Sequence, residues 1–446
     1  MKIKIDSRKV VPGDTFIALR GENDDGHNYV YDAIKAGAST VIVEEGSYTV
    51  NTIIVNNTKE YLKEYLENNY YDNIKKLKLI GMTGTNGKTT TCFLIYQALN
   101  KLGIKCAYIG TIGFYINDLK VDTNNTTPNL YELYNMLLEC VDNNIKYVVM
   151  EVSSQGISMG RVDTLSFDYV IFSNLTQDHL DYHKTMENYL IEKQKLFKMT
   201  RDGIAIVNND DSYKDYFLLD NNRNITYGIS GDYKFNIISS TMNGTIFKVN
   251  DYEYYTKLIG NYNIYNITVV IALLNLLNID YNDIKDIISN LEMPPGRMDL
   301  IKYNNNYIII DYAHTPDAVY KIINEVSKLD HNKIITMIGC GGNRDKKKRP
   351  IMGKIATNNS DYVIFTNDNP RYENGMKIVK DMICKLDKKN YKVKLNRHKA
   401  IEFGVQMLSK GDILLLLGKG HENYQIIKNK RKKFSDKEVV LKYIRR

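Results

Sequence analysis

The chain lacks tryptophan altogether and has only five cysteines in 446 residues. Those cysteines, at 92, 106, 140, 340 and 384, lie far apart with no C-x-x-C pair. That spacing argues against a disulfide framework and a cysteine-based zinc site, and fits a reduced compartment. No apolar run approaches the roughly 20 residues that span a bilayer. The opening "MKIKIDSRKV" has no signal-peptide apolar core, so a cytoplasmic protein is expected. Internal repeats and low-complexity linkers are absent too. The missing tryptophan goes with plentiful Asn, Lys, Ile and Tyr, and reads as compositional bias rather than a functional signal.

What is present is ordinary for a soluble globular protein, with 43% hydrophobic and 25% charged residues. The length is too great for one core and enough for two or three domains. The net charge of +8 favours anionic partners, meaning nucleic acid or phosphorylated small molecules. Residues 1 to about 75 read as a small α/β unit, with strands "TFIALR", "STVIVEE" and "TIIVNN" and helices "VYDAIKAGA" and "TKEYLKEYLENNYY". A strand, loop and helix follow in "KKLKLIGMTGTNGKTTTCFLIYQALNKLG". Ile95, Ala98, Leu99 and Leu102 share one face of that helix, and Gly103 stands where a C-cap belongs. "KYVVMEVSS" and "FDYVIFSNL" are apolar on both faces, as in a buried parallel sheet. "GNYNIYNITVVIALLNLLNI" is a long helix, and "MPPGRMDLI" opens a new strand-helix series near 298. There "YIIIDYAHT", "IITMIGCGG", "YVIFTNDNP" and "DILLLLGKG" end in polar loops, as strands of a doubly wound sheet do where ligands bind. The expected class is α/β with three domains: a small N-terminal α/β domain (1–76), a central P-loop ATPase-like parallel-sheet domain (77–298) and a C-terminal Rossmann-like doubly wound domain (299–446).

"GMTGTNGKTTT", Gly81 to Thr91, looks like a phosphate-cradling loop but misses the usual spelling, because Met82 stands where the first glycine belongs. Gly84, Gly87 and the helix N-terminus behind them would offer backbone N–H groups to phosphate. Lys88 would reach the β- and γ-phosphates, and Thr89 would hold Mg²⁺. Glu151 ends a buried strand, a natural place for a Mg²⁺ carboxylate, though also for a solvated one. His179 and His183 have an i, i+4 spacing that suits zinc, yet no Cys or third His lies near. A structural role is the expectation for His183.

The order and spacing of "GTNGKTTT", "EVSSQG", "NLTQDHLDYH" and "YLIEKQKLF" resemble the Mur ligase family, the ATP-dependent ligases that build the peptide stem of peptidoglycan. The family spells its loop T-G-T-N-G-K-T, which removes the misfit at Met82. "GNYNIYN", "PPGRMD", "DYAHTPDA", "GCGGNRDKKKRP", "DNPR" and "GKGHE" carry the resemblance through the last domain. It implies activation of a substrate carboxylate by ATP, attack of an amine on the acyl phosphate, and a site dominated by cations. By resemblance, Gly84, Thr85, Asn86, Gly87, Lys88, Thr89 and Thr90 bind ATP phosphates. Thr89, Glu151, His179 and Lys193 hold Mg²⁺, with Lys193 as a carbamate. On local sequence alone Lys195 is as good a candidate as Lys193. Asn263, Arg297 and Asp311 are expected at the base and ribose, although Asn263 also suits a helix N-cap and Arg297 a surface ion pair. Nucleotide binding near the 298 boundary would help close the last domain. Ser7, Asn125, Thr126, Thr127, Ser153 and Arg161 are expected to bind the UDP-sugar. Met159 stands where some relatives have Gln, so one sugar contact is expected to be missing, and little chain precedes "DSRKV", so uridine recognition is expected to be reduced or differently built.

The acceptor is read from "NDNPRYENG". meso-Diaminopimelate carries a distal amino-carboxylate where lysine has only an ammonium, and a guanidinium fork matches a carboxylate. Arg371 therefore suits diaminopimelate and would reject lysine. Arg344, Asp368, Asn369, Gly418 and Glu422 are expected around the same amino acid, with Glu422 taking its ammonium. The implied partners are a UDP-N-acetylmuramoyl-dipeptide and a diamino acid, with the protein acting as a monomer. The same ligase adding lysine, a folylpolyglutamate synthetase and a catalytically dead nucleotide-binding scaffold are the rivals. The basic runs "RDKKKRP" and "KNKRKKF" suggest a nucleic-acid-binding ATPase, but they read as solvated faces or hairpins without a recognition motif.

Overall fold

Strand Lys78–Thr83 is short and apolar, and its burial on both sides sets the frame of the site. The computed structural model describes residues 1–21 and 24–445, with the side chains of 201 and 202 outside the description. The chain falls into two compact units, Met1–Cys92 with Leu99–Thr226, and Phe93–Ala98 with Tyr227–Arg446. Among the described residues no helix is long and apolar enough to cross a membrane.

The first unit opens with four parallel strands in chain order, Ile3–Lys4, Thr15–Ile17, Thr40–Val43 and Asn51–Ile54. Phe16, Val30, Ala33, Val41 and Val43 form a small core on one side of them. Helix Thr58–Ile74 begins where the Asn57 side chain accepts the N–H groups of Lys59 and Glu60, which supplies partners for orphan donors of the first turn. Its Leu62 and Leu66 join Leu133 and Leu137 in the larger core.

That larger core covers a parallel set of strands in the order Thr200–Asn208, Phe167–Phe172, Lys78–Thr83, Tyr147–Glu151 and Cys106–Gly110. The short strands Gly113–Ile116 and Leu119–Val121 continue it antiparallel. Because Lys78–Thr83 is central, the loop after it emerges between the ends of two neighbours. The register sets Met82 beside Glu151 and Thr83 beside Phe172. Helix Lys88–Lys101 follows the loop, with Gly103 at φ +71° just past its end, as the sequence predicts.

In the second unit, strands Tyr233–Thr241, Gly244–Val249 and Tyr252–Thr256 pair antiparallel. The sequence reading assigned no element to this stretch. Helix Asn261–Leu276 is buried along nearly its whole length. A six-stranded sheet follows in the order Asp299–Tyr303, Asn306–Asp311, Ile413–Leu417, Ile334–Ile338, Tyr362–Phe365 and Tyr391–Val393. Only the first pair is antiparallel. Helices Pro316–Ser327, Lys348–Asn359 and Gly375–Ile383 pack on one face, and Arg397–Gln406 and Asp436–Ile444 on the other, the doubly wound arrangement expected. Under the second pair, Arg397 and Asp436 form a fully buried ion pair at 2.6 Å, and Arg397 also donates to Leu417 O at 3.1 Å. Breaking one partner of such a pair leaves an uncompensated charge, about 3–5 kcal/mol. "KNKRKKF" forms the hairpin of Tyr424–Ile427 with Lys430–Lys433. Cys92, Cys106, Cys140 and Cys340 are buried, and Cys384 is exposed.

Candidate active site

The loop Gly84–Gly87 is held from the side by the segment after strand Phe167–Phe172. Thr85 N donates to Asn174 O at 2.8 Å, Asn86 N to Asn174 Oδ1 at 3.0 Å, and Ser173 Oγ to Asn86 O at 2.6 Å. Gly84 has φ +142°, and a Cβ there would collide with Ser173 Oγ, so this position requires glycine. Lys88 Nζ lies back over the loop, donating to Gly84 O at 2.7 Å and Thr85 O at 3.0 Å. Thr90 is buried in the first turn behind it.

Beside the loop, Glu151 is 1% exposed and its carboxylate accepts four bonds. Oε1 takes Tyr108 Oη at 2.5 Å and Thr111 N at 2.8 Å, while Oε2 takes Thr89 Oγ1 at 2.9 Å and Thr111 Oγ1 at 3.2 Å. Glu151 is therefore not a solvated strand-end residue. Tyr108 is buried, and burial followed by the Glu151 charge raises its phenol pKa, so it stays a donor. Sequence reasoning missed Tyr108. It sits on the strand next to Tyr147–Glu151, and only the pairing register reveals it.

Lys193 is 1% exposed, on the inward stripe of helix Met186–Lys198 with Tyr189, Leu190, Leu196 and Phe197. Its Nζ donates to Gly84 O at 2.9 Å and lies 4.6 Å from the centre of the Tyr189 ring. Burial drives its pKa well down, the Lys88 ammonium adds to that, and Asp178 opposes it. Lys195 instead is on the outer face, paired with Glu192 at 2.9 Å, so only Lys193 reaches the loop. His179 sits at φ +53° before the short helix Leu180–His183, half-exposed, with Nε2 3.5 Å from Asp178. Burial lowers its pKa, Asp178 raises it, and Lys88 and Lys193 lower it further. Tyr189 gathers this corner, with His179 and His183 ring centres at 6.3 and 5.1 Å and its hydroxyl 3.3 Å from Thr85 Oγ1. His183 is buried and bonded to Ser154 Oγ at 2.9 Å, the structural role expected. The Thr89 hydroxyl and the Glu151 carboxylate meet at 2.9 Å, an oxygen pair of the kind a small hard cation takes, while among the described residues no three His, Cys, Asp or Glu side chains gather as a metal site.

The predicted sugar-side residues divide. Thr126, Thr127, Ser153 and Arg161 form one cluster that touches Glu151. Thr127 Oγ1 donates to Glu151 O at 3.0 Å and lies 3.0 Å from Ser153 Oγ, Arg161 Nη1 donates to Thr127 O at 2.7 Å, and Thr126 Oγ1 lies 3.0 Å from Thr111 Oγ1. Ser153 also caps helix Ser154–Ser158 through Gly156 N. Arg161 Nη2 lies 3.0 Å from Met159 Sδ. Asn125 is exposed on the same loop, while Ser7 lies in the short turn Ser7–Lys9 of the N-terminal sheet.

In the second unit, Asn263 is fully buried, donating to Ile259 O at 2.7 Å and accepting from Asn266 at 3.1 Å. It is not the helix N-cap that the sequence also allowed, because Gly260 at φ +90° takes that place. Asp311 ends strand Asn306–Asp311 and accepts Met298 N and Ala313 N, each at 2.8 Å. Burial raises its pKa, and Arg297 with the two amides opposes this. The Arg297 guanidinium lies 5.0 Å from the Tyr312 ring centre.

At the strand ends of the doubly wound sheet, Arg371 has φ +50° and its Nη1 donates to Gly342 O at 2.9 Å. A Cβ built on Gly341 would lie 3.0 Å from Arg371 Nη1 and 3.6 Å from Arg344 Cγ, so both arginines flank that glycine. Asn369 donates to Glu422 Oε2 at 2.8 Å and accepts from Lys419 Nζ at 3.1 Å and Ile426 N at 2.9 Å. Lys419, fully buried and unforeseen, also reaches Glu422 Oε2 at 2.8 Å. Asp368 is 8% exposed, and its Oδ2 has no hydrogen-bond partner among the described residues. It faces Gly418, where a built Cβ would lie 2.9 Å away.

A phosphate loop beside a buried carboxylate, together with a doubly wound sheet whose strand ends gather two arginines and a buried aspartate, defines a nucleotide-using α/β enzyme of the acid–amino-acid ligase type. The chain belongs to the Mur ligase family. The family models match in three segments: the catalytic domain over residues 2–82, the middle domain over 82–274 and the glutamate ligase domain over 296–420. The chain is 42% identical to the UDP-N-acetylmuramoyl-L-alanyl-D-glutamate--2,6-diaminopimelate ligase of Clostridium perfringens, covering 98% of this chain and 93% of that protein. It is 39% identical to the protein of that name from Aquifex aeolicus, covering 98% and 92%. A solved structure of such a ligase matches with a TM-score of 0.68 at 30% identity, over 99% of this chain and 94% of the other. The fold is shared with a MurF ligase from Thermotoga maritima in complex with ADP, TM-score 0.70 at 19% identity over 99% and 96%.

Proposed function

We propose that this chain is the ATP-dependent ligase that joins meso-diaminopimelate to the D-glutamate of UDP-N-acetylmuramoyl-L-alanyl-D-glutamate. The observation that carries the acceptor choice is that Arg344 and Arg371 both approach Gly341. In the first step the D-glutamyl carboxylate attacks the γ-phosphorus of ATP, forming the acyl phosphate and releasing ADP. In the second the acceptor amine attacks the acyl carbon, the amide bond forms, and phosphate and a proton leave. Each step crowds anions, so Lys88 and the loop amides offset charge that grows on the transferred phosphoryl group. Thr89, Glu151 and His179 would hold Mg²⁺, which supplies further neutralisation of the phosphates.

Lys193 serves this site through its depressed basicity. A neutral lysine amine adds to CO₂, forming an N–C bond and releasing one proton, and the carbamate turns a buried amine into an oxygen ligand for Mg²⁺. Thr126, Thr127, Ser153 and Arg161 offer hydroxyls and a guanidinium to the UDP-sugar, with Asn125 on the same loop and Ser7 on the uridine side. Residues 1–76, 77–298 and 299–446 then take the UDP-sugar, ATP and the amino acid respectively, with Asn263, Arg297 and Asp311 on the nucleoside. At the acceptor, Asp368 is a better partner for the ammonium than Glu422, because its buried Oδ2 lacks a hydrogen-bond partner among the described residues whereas Glu422 Oε2 already serves Lys419 and Asn369. The protein works as a cytoplasmic monomer in this reading.

The test is phosphate release by purified protein with Mg-ATP and the UDP-dipeptide, with meso-diaminopimelate in one reaction and L-lysine in another. Release with diaminopimelate alone is expected. Release with lysine alone would keep the ligase and refute the argument from the two arginines. Silence in both, with ATP bound, would refute the ligase.

A further inference from the structure

Arg349 has no part in the reaction described above, yet it is fully buried directly behind the loops that carry Arg344 and Arg371. Its Nη1 donates to Glu373 Oε2 at 3.0 Å and Asp381 Oδ2 at 2.8 Å. Its Nη2 donates to Glu373 Oε1 at 2.9 Å and Gly341 O at 3.3 Å. Glu373 Oε1 in turn accepts Asn343 N at 2.5 Å. One guanidinium therefore grips the Arg344 loop directly, and again through Glu373, which belongs to the Arg371 loop.

The two loops are also joined to each other in front of Arg349. Gly342 N donates to Asn369 O at 2.9 Å, Tyr372 N to Asn343 Oδ1 at 3.2 Å, and Arg371 Nη1 to Gly342 O at 2.9 Å. Arg371 at φ +50° and Asn343 at φ +51° both hold left-handed backbone, which persists only where neighbours over-determine it. A core staple would need only the two carboxylates. The bond to Gly341 O, at the residue both acceptor arginines flank, directs this network at the site.

We infer that Arg349 is a positioning residue that fixes the spacing of Arg344 and Arg371 and so sets the preference for an acceptor with two separated carboxylates. The inference rests on the proposed ligase reading. Its test uses the full chain carrying Arg349→Lys, with Glu373→Gln as a second variant and Asp381→Asn as a control that removes a charge outside the two loops. A lysine ammonium cannot hold Gly341 O and both carboxylates in one plane. The KM for meso-diaminopimelate should rise about tenfold, as for one weakened charge-assisted hydrogen bond. The KM for ATP should stay within about twofold, and discrimination between diaminopimelate and lysine should fall by the same factor as the diaminopimelate KM rises. Asp381→Asn should lower the melting temperature without moving either KM. If Arg349→Lys does not fold, Glu373→Gln must give the same acceptor-specific shift. An equal loss with both amino acids at unchanged KM, or an unchanged acceptor KM in both loop variants, would overturn the inference while an active wild type leaves the ligase intact. A wild type silent with both amino acids would overturn the ligase, and this inference with it.

Discussion

Replacing Lys193 by methionine removes a buried amine and keeps most of its length, so stability and chemistry should move in opposite directions. The loss is one hydrogen bond to Gly84 O, about 1 kcal/mol. The gain is relief from burying a polar group that has more donors than partners, about 1–3 kcal/mol. The net expectation is a fold more stable by about 0–2 kcal/mol, or up to roughly 8 °C in melting temperature for a unit of this size. The sign with pH follows from the direction of the shift. The folded-state pKa of Lys193 is depressed, so as pH falls below the unfolded value of about 10.4 the unfolded chain takes up a proton that the folded one refuses. Wild type therefore loses stability as pH falls from there, the variant does not, and the gap should be wider at pH 7.5 than at pH 10. Scanning fluorimetry in degassed, nucleotide-free buffer at both pH values reads this, and phosphate release under the conditions above should fall by at least about 100-fold. Lys195→Met, on the outer face, should shift stability by no more than about 0.5 kcal/mol and keep activity. A melting temperature that drops in Lys193→Met, or a gap that narrows as pH falls, would refute the account of Lys193 as a strained buried amine.

Three further outcomes are expected. Arg371→Ala should raise the KM for meso-diaminopimelate roughly 10- to 150-fold through loss of a charged hydrogen bond of about 1.5–3 kcal/mol, leaving the KM for ATP alone; steady-state kinetics decides it. Tyr108→Phe frees one lobe of Glu151, so the Mg²⁺ concentration at half-saturation of ADP binding, read by calorimetry, should rise several-fold; an unchanged value would mean Thr111 suffices to orient the carboxylate. The Arg349 side chain holds the Glu373 carboxyl at about 2, so its contribution is present above the unfolded value of about 4.3 and is lost as pH falls toward 2. Glu373→Gln should flatten the acid limb of the unfolding curve across that window, and a curve parallel to wild type would refute the assignment.

Much of this site could be read from the residue order, because phosphate loops and strand-end carboxylates are local devices with local spellings. Gly84 to Thr90 and Glu151 needed only a strand, a turn and a helix in sequence. Resemblance alone picks Lys193 over Lys195 in the sequence, yet helical periodicity also separates them: 189, 190, 193, 196 and 197 mark one stripe, and 195 falls off it. Tyr108 was beyond reach, since its bond to Glu151 depends on which strands are neighbours. "RDKKKRP" was read as a solvated face, which holds for the exposed Lys346 and Lys347 but not for Arg349, whose carboxylate partners come from 24 and 32 residues further on. The antiparallel strands over 233–256 went unread although Asn243-Gly244 marks their first turn. Lys419 was hidden by its type, as lysines are rarely buried without a partner.

The uneven exposure of the five cysteines gives this molecule a ready optical handle. Burial raises the thiol pKa of Cys92, Cys106, Cys140 and Cys340, which keeps them protonated and slow toward alkylating reagents, whereas Cys384 is open to solvent. A maleimide dye should therefore attach at one place without engineering. That place is the end of helix Gly375–Ile383, where Cys384 Sγ contacts Asp381 O at 3.2 Å, one turn from the carboxylate that grips Arg349. A fluorophore there would stand beside the helix that supplies Asp381 to Arg349, and a change in its emission on adding amino acid would report on that helix.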